Sequence, residues 1–160
     1  MKKITMLLVV LTILSFVFLG KNEPVRERTI AVDDCSIMQD TCHVKMGDLF
    51  SLSFDVSPKG LPPTKEAIVT VKSSSAQVNK IEVVFLAVDL DYSPPKIRLN
   101  KVSDKKFNGR IFLSLCTLKK TKWIANLMVY TDTDIWKIIF PFVHSGDRYN
   151  AINPSLSINK

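Results

Sequence analysis

The chain has 160 residues, 46% of them hydrophobic, and its 22 Lys and Arg residues against 15 Asp and Glu give a formal net charge of +7. After the leader described next, about 140 residues remain, which is the size of one domain with its own core. The lysines are scattered or lie at turns, without an Arg-rich stripe or interleaved aromatic residues. The charge therefore indicates a solvated surface, and no nucleic acid is expected as a partner.

An uncharged apolar segment, residues 4–20, directly follows Met1, Lys2 and Lys3. A helix of this length spans roughly 25 Å, close to the ~30 Å hydrocarbon core of a bilayer. A cleaved secretory signal is the alternative, but Phe18 and Leu19 stand where a cleavage site needs small residues. We therefore predict that residues 1–20 are a transmembrane anchor, with the lipid bilayer as its partner.

The flanks of the anchor carry similar numbers of Lys and Arg, so they say little about orientation. A Lys pair at the N-terminus of such a leader usually stays cytoplasmic. The prediction is a single-pass protein of the inner (cytoplasmic) membrane whose C-terminal domain lies in the periplasm. Residues 21–34 are polar, mixed in charge and contain one proline, and they are predicted to be a spacer without a core of its own.

Strand-like alternation of apolar and polar residues begins at Leu49, and no amphipathic helix is visible after the anchor. Turn residues separate seven predicted strands, and Phe85 and Trp123 are expected in the core. The pattern predicts an all-β domain over residues 35–142, an immunoglobulin-like antiparallel β-sandwich of about seven strands. Residues 143–160 lack periodicity and are predicted to be a loosely ordered tail. The predicted strands cover residues 49–56, 66–72, 78–89, 97–102, 107–116, 123–130 and 135–142.

The cysteines suggest a disulfide in an oxidising compartment. Cys35 and Cys42 enclose a short polar loop and are the favoured pair, which would leave Cys116 as a free thiol. A bridge between Cys42 and Cys116 is the rival, and one thiol is left over in either case. A different hypothesis is a metal site, because thiolates, thioethers and imidazole together select Cu(I). Its ligands would be Cys35, Met38, Cys42, His43 and Met46.

Catalytic motifs are absent from the sequence. His43 and His144 are the only histidines, and neither a G-x-S-x-G elbow nor an H-E-x-x-H pair occurs. Phosphate-binding loops and dinucleotide fingerprints are missing as well. The sequence therefore predicts no catalytic residues, no resident cofactor and no enzyme.

Four short motifs in residues 35–142 resemble a little-characterised family of small bacterial envelope proteins, which are anchored by their N-termini. They are the C-x6-C pair with Gln39 inside it, LSFDVSPKGLPP, EVVFLAVDLDY and LSLCTLKKTKWIANLMV. The resemblance implies an exported immunoglobulin-like domain. Related exported domains are associated with copper handling, but the family pattern has methionines where this chain has Leu90 and Tyr92.

Two functions follow as expectations from the sequence. The first is a membrane-anchored binding or assembly module that contacts another envelope protein. The alternative is a copper-handling accessory that uses the cluster of Cys, Met and His residues.

Overall fold

The computed structural model describes residues 25–62, 65–88, 95–113 and 121–144. The predicted anchor, Cys116 and residues 145–160 lie outside these ranges. Within them, no helix is long and apolar enough to cross a membrane.

The described residues form ten strands in two five-stranded sheets. Sheet A has the order β1-β10-β9-β5-β6, and sheet B has the order β2-β3-β4-β8-β7. All pairs are antiparallel except β1 with β10, which is parallel. The strands are β1 Arg26–Ala31, β2 Cys42–Met46, β3 Phe50–Ser57, β4 Glu66–Ser73, β5 Lys80–Ala87, β6 Ile97–Arg98, β7 Asn100–Ser103, β8 Lys106–Phe112, β9 Thr121–Tyr130 and β10 Asp134–His144.

The two sheets face each other through a core of alternating apolar side chains, as expected for a β-sandwich. Phe54 of sheet B and Phe140 of sheet A have ring centroids 4.8 Å apart, and Phe50 meets Trp136 edge-on at 6.4 Å. Phe85 and Trp123 are buried, as the sequence predicted. The prediction of an all-β sandwich is therefore confirmed, with ten described strands where about seven were expected.

The predicted strand over residues 97–102 is divided at Leu99, so that its two halves belong to different sheets. Ile97–Arg98 pairs with β5, whereas Asn100–Ser103 pairs with β8. Leu99 is buried between them, and its N–H donates to the carbonyl oxygen of Ile81 at 2.9 Å. A buried side chain at the crossing point thus turns one apparent strand into two.

Gly109 makes room for this crossing. Gly109 pairs regularly with Val69, and the irregular register lies between Lys101 and Ser103. A Cβ atom on Gly109 would lie 2.6 Å from Cδ2 of Leu99. The glycine therefore serves close packing of β8 against the crossing point.

The spacer predicted over residues 21–34 was wrong for Arg26–Ala31, which form β1. The polar composition of this segment gave no sign of a strand, because ion pairs attach the N-terminal half of β1 to β10. Arg26 and Arg28 both contact the buried carboxylate of Asp134, at 3.2 and 3.0 Å, and the Arg28 guanidinium lies 4.9 Å from the centre of the Trp136 ring. A strand at the edge of a sheet can form with few apolar residues when one of its faces is in contact with solvent.

The described domain also extends past Phe142, because β10 continues to His144. The imidazole is 1% exposed, and its Nε2 lies 3.0 Å from the carbonyl oxygen of Leu61. A carbonyl oxygen only accepts, so Nε2 carries the proton and donates. The prediction that placed His144 in a loose tail was wrong for that residue.

Candidate binding surface

The outer face of sheet A is the candidate binding surface. Alternation along the strands directs every second side chain of β1, β10, β9 and β5 away from the core. These outward residues are Glu27, Thr29, Ala31, Ile135, Lys137, Ile139, Pro141, Val143, Lys122, Ile124, Asn126, Met128, Tyr130, Lys80, Glu82, Val84 and Leu86.

Apolar residues dominate the middle and one end of this face. Val84 is 9% exposed although it lies on the outer side, and Leu86, Ile124 and Ile139 are half-buried. Register places Val84 beside Asn126 and Leu86 beside Ile124, with Ile139 on the far side of Asn126. We call Val84, Leu86, Ile124, Met128 and Ile139 the apolar patch. A contiguous apolar area on an outer surface indicates a place where another molecule binds.

The outer face of sheet B has a different character. Its outward positions are mostly Ser, Thr, Lys, Arg, Asp and Asn, as on a solvated sheet face. The exposed large apolar residues in the strands of this sheet are Ile68, Val102 on the edge strand β7, and Phe112, at 47%, 55% and 66% exposure. The asymmetry between the two faces makes sheet A the better candidate.

A polar cluster borders the apolar patch at the end nearest the β9–β10 turn. The Tyr130 hydroxyl donates to Oε2 of Glu82 at 2.7 Å, and Nζ of Lys80 lies 3.1 Å from Oε1 of the same carboxylate. The Lys80 ammonium also lies 3.8 Å from the centre of the Tyr130 ring, a cation–π distance. These contacts fix three long side chains beside the patch.

The pKa values in this cluster follow from its contacts. Burial, followed by the hydrogen bond to Glu82, raises the pKa of Tyr130 to about 12. The hydrogen bond from Tyr130 lowers the pKa of Glu82 against the opposing effect of burial, and Lys80 lowers it further. At neutral pH the cluster therefore presents a neutral phenol and an ionised carboxylate.

A shallow cavity of about 440 Å³ lies across this face, lined by Val84, Leu86, Asn126 and Met128 together with Glu27, Lys96 and Lys137. Oδ1 of Asn126 is buried and accepts no hydrogen bond within the described part of the chain. A buried acceptor without a partner carries a free-energy cost that a donor from a bound molecule would remove. The apolar patch therefore contains one specific polar contact point.

The cysteine cluster has a structural arrangement. Cys35 and Cys42 form a disulfide, with Sγ atoms 2.05 Å apart, and Cys42 is fully buried. This is the pairing that the sequence favoured, while Cys116 lies outside the described residues. The bridge closes the segment that leads from sheet A into β2 of sheet B.

The five candidate ligands of the copper hypothesis do not all lie on one side of β2. Alternation along β2 directs Cys42 and Met46 into the core and His43 to the opposite, exposed face. Met38 packs against the core, and Cys35 is occupied by the disulfide. Among the described residues, no group of three His, Cys, Asp or Glu side chains could hold a metal ion.

A second cavity, of about 220 Å³, lies at the β9–β10 turn beside Asp134 and Trp136. The hydrogen bond from Thr133 is the main cause of the lowered pKa of Asp134, and the two arginines add to it. Both carboxylate oxygens of Asp134 therefore already have partners, from Arg26, Arg28 and Thr133. We interpret these contacts as the attachment of β1 to β10.

Apolar residues on both faces of the predicted strand at residues 78–89 are the signal in the sequence for the apolar patch. The same pattern is typical of a central strand, and β5 lies between β9 and β6. The outward Val84 and Leu86 are that second face. Their exposure to a partner could not be inferred, because a covering element would produce the same pattern.

No protein-family model, no curated protein and no solved structure matches the chain.

Proposed function

We propose that this protein is a membrane-anchored binding or assembly module, not an enzyme, and that the outer face of sheet A contacts another envelope protein. The observation that carries the proposal is the apolar patch, with the unpartnered Asn126 acceptor inside it and a fixed polar cluster at its border. Interfaces commonly combine an apolar centre, a polar rim and a few oriented hydrogen-bonding groups.

The domain is further proposed to be immunoglobulin-like. Strands β4, β5, β8, β9 and β10 are distributed between the two sheets as strands B, C, E, F and G are in that fold, with β7 in the place of strand D. Strand β6 pairs with β5 as C′ does in variable-type domains. The inter-sheet disulfide of antibody domains has no counterpart in the described residues, where the bridge joins Cys35 in the β1–β2 connection to Cys42 at the start of β2.

Residues 4–20 are proposed as an uncleaved anchor that holds the domain on the periplasmic side of the inner membrane. N-terminal sequencing of the protein taken from membranes tests this point. A protein that retains Met1 and resists carbonate extraction supports the anchor, whereas a chain that starts near Lys21 contradicts it.

The binding function is tested by crosslinking and copurification of the full-length protein from membranes, with Ile124→Lys as the variant. A lysine in the centre of an apolar interface loses its hydration without gaining a partner, so we expect at least roughly tenfold less copurified partner. Ile68→Lys is the matched control, because it adds the same charge on the outer face of sheet B. Equal recovery of the partner with both variants would contradict a role for sheet A.

A further inference from the structure

The free edge of β1 is a site for strand pairing. Strand β1 is the outermost strand of sheet A, and its residues Arg26–Thr29 are exposed. The N–H group of Arg26 donates to the carbonyl oxygen of Thr133, just before β10, at 3.1 Å, and that of Val32 donates to the carbonyl oxygen of Ile139 on β10 at 2.9 Å. Both donors are even-numbered, and alternate residues of a strand direct their backbone groups to opposite edges. The N–H and C=O groups of Glu27, Thr29 and Ala31 are therefore directed away from β10.

The other three edge strands in the described structure are less suited to pairing. Strand β6 has only two residues, and β7 contains an irregular register. Strand β2 has five residues and begins at the disulfide-bonded Cys42. Short and irregular edges protect a sheet against further pairing, and β1 is the longest and most regular of the four.

We propose that β1 pairs antiparallel with β1 of a second copy of this chain, with Thr29 opposite Thr29 on a two-fold axis. Closed two-fold symmetry is the commonest arrangement of homo-oligomers. The pairing would join two copies of sheet A into one ten-stranded sheet, and the apolar patches of both copies would lie on the same side of it.

The charges of β1 disfavour two neighbouring registers. Because directly opposed residues must both direct their backbone groups toward the partner, Thr29 can lie opposite an odd-numbered residue only. With Thr29 opposite itself, Glu27 lies opposite Ala31, and Arg28 lies opposite Ile30. A shift that centres the pair on Arg28 would place two guanidinium groups directly opposite each other, which is destabilising. Centring on Glu27 would do the same with two carboxylates.

Cysteine crosslinking in intact cells tests the register, using full-length protein in which Cys116 is replaced by Ser. Hydrogen-bonded antiparallel pairs have Cα atoms about 5.5 Å apart, within the range of a disulfide. We expect Thr29→Cys to give a disulfide-linked dimer on a non-reducing gel. Glu27→Cys and Ala31→Cys should give none singly, but the double variant should crosslink, since each residue lies opposite the other.

Sedimentation of the full-length protein in a mild detergent tests the association itself. Thr29→Lys places two like charges on the axis and should weaken dimerisation by about tenfold or more. Ile68→Lys is again the control and should leave the dimer intact. A monomer at every concentration, or equal crosslinking by all three single cysteine variants, would overturn the proposal. This inference does not depend on the outer-face partner, whose loss would leave the dimer unchanged.

Discussion

At the scale of single residues, His144 is a buried titratable group with one satisfied nitrogen. Nε2 donates to the carbonyl oxygen of Leu61, whereas Nδ1 is buried without a partner in the described structure. Protonation would place a second N–H in that environment. Burial therefore lowers the pKa of His144 below its ordinary value of 6.5, although the hydrogen bond to Leu61 opposes the shift.

We expect the domain to lose stability as the pH falls below about 6.5, the pKa of an unfolded histidine. The unfolded chain then takes up a proton that folded His144 resists, so the free energy of unfolding decreases until the pH reaches the lowered folded pKa. One such group gives a slope of at most about 1.4 kcal/mol per pH unit. Denaturant unfolding measured between pH 5 and 8 gives this slope directly.

His144→Gln should remove the slope, because the amide can still donate to Leu61 but does not titrate. His43→Gln is the matched control, since His43 is exposed on the outer face of sheet B. If the slope survives in His144→Gln, another group causes it.

Two phenylalanines allow a test of the core by the same substitution. Phe85 is 1% exposed and packs edge-on against Phe142 at 6.3 Å, whereas Phe112 is 66% exposed. Phe85→Ala should lower the free energy of unfolding by about 3–5 kcal/mol, the range for large buried aromatic residues. Phe112→Ala should change it by less than about 0.5 kcal/mol. Similar losses in both variants would contradict the assignment of Phe85 to the core.

At the scale of elements, β1 completes sheet A although its sequence resembles a linker. We expect a fragment of residues 32–160 to be less stable than one of residues 25–160, by about 2 kcal/mol or more. The loss combines the partial burial of Ile30 with the contact between Arg28 and the Trp136 ring. Denaturant unfolding of the two fragments measures the difference, and equal stability would show that β1 is dispensable.

The elements that the sequence predicted well are those with period-two alternation, such as β9 and β10, which were expected over residues 123–130 and 135–142. In the structure these two strands pair across the turn at Thr131–Thr133. The elements that it missed are held by interactions between distant residues. Arg26 and Arg28 bind Asp134, which lies more than a hundred positions away in the sequence. A local sequence pattern does not show such a distant partner, so β1 was interpreted as a spacer from its polar composition alone. Strand β2 was missed because it is only five residues long.

At the scale of the whole molecule, the proposed partner contact and the proposed dimer contact lie on different parts of sheet A. The apolar patch is centred on β9 and β5, while the pairing edge lies on β1. Neither contact could be located from the sequence, because which strands are neighbours and which strand is outermost depend on the order of the strands in the sheet. The folded arrangement shows that the backbone groups of Glu27, Thr29 and Ala31 have no neighbouring strand among the described residues.

This separation predicts that the two contacts fail independently. Thr29 and Ile124 lie on strands separated by β10 and in different rows of the sheet, a spacing of roughly 15 Å from strand and residue dimensions. Substitutions that far apart usually have additive effects. Thr29→Lys should therefore weaken the dimer and leave partner recovery per chain unchanged, while Ile124→Lys should reduce partner recovery and leave the dimer unchanged. Crosslinking and copurification on the two single variants and the double variant measure both quantities. If Thr29→Lys also removed the partner, the partner would require the joined ten-stranded sheet and not the single domain.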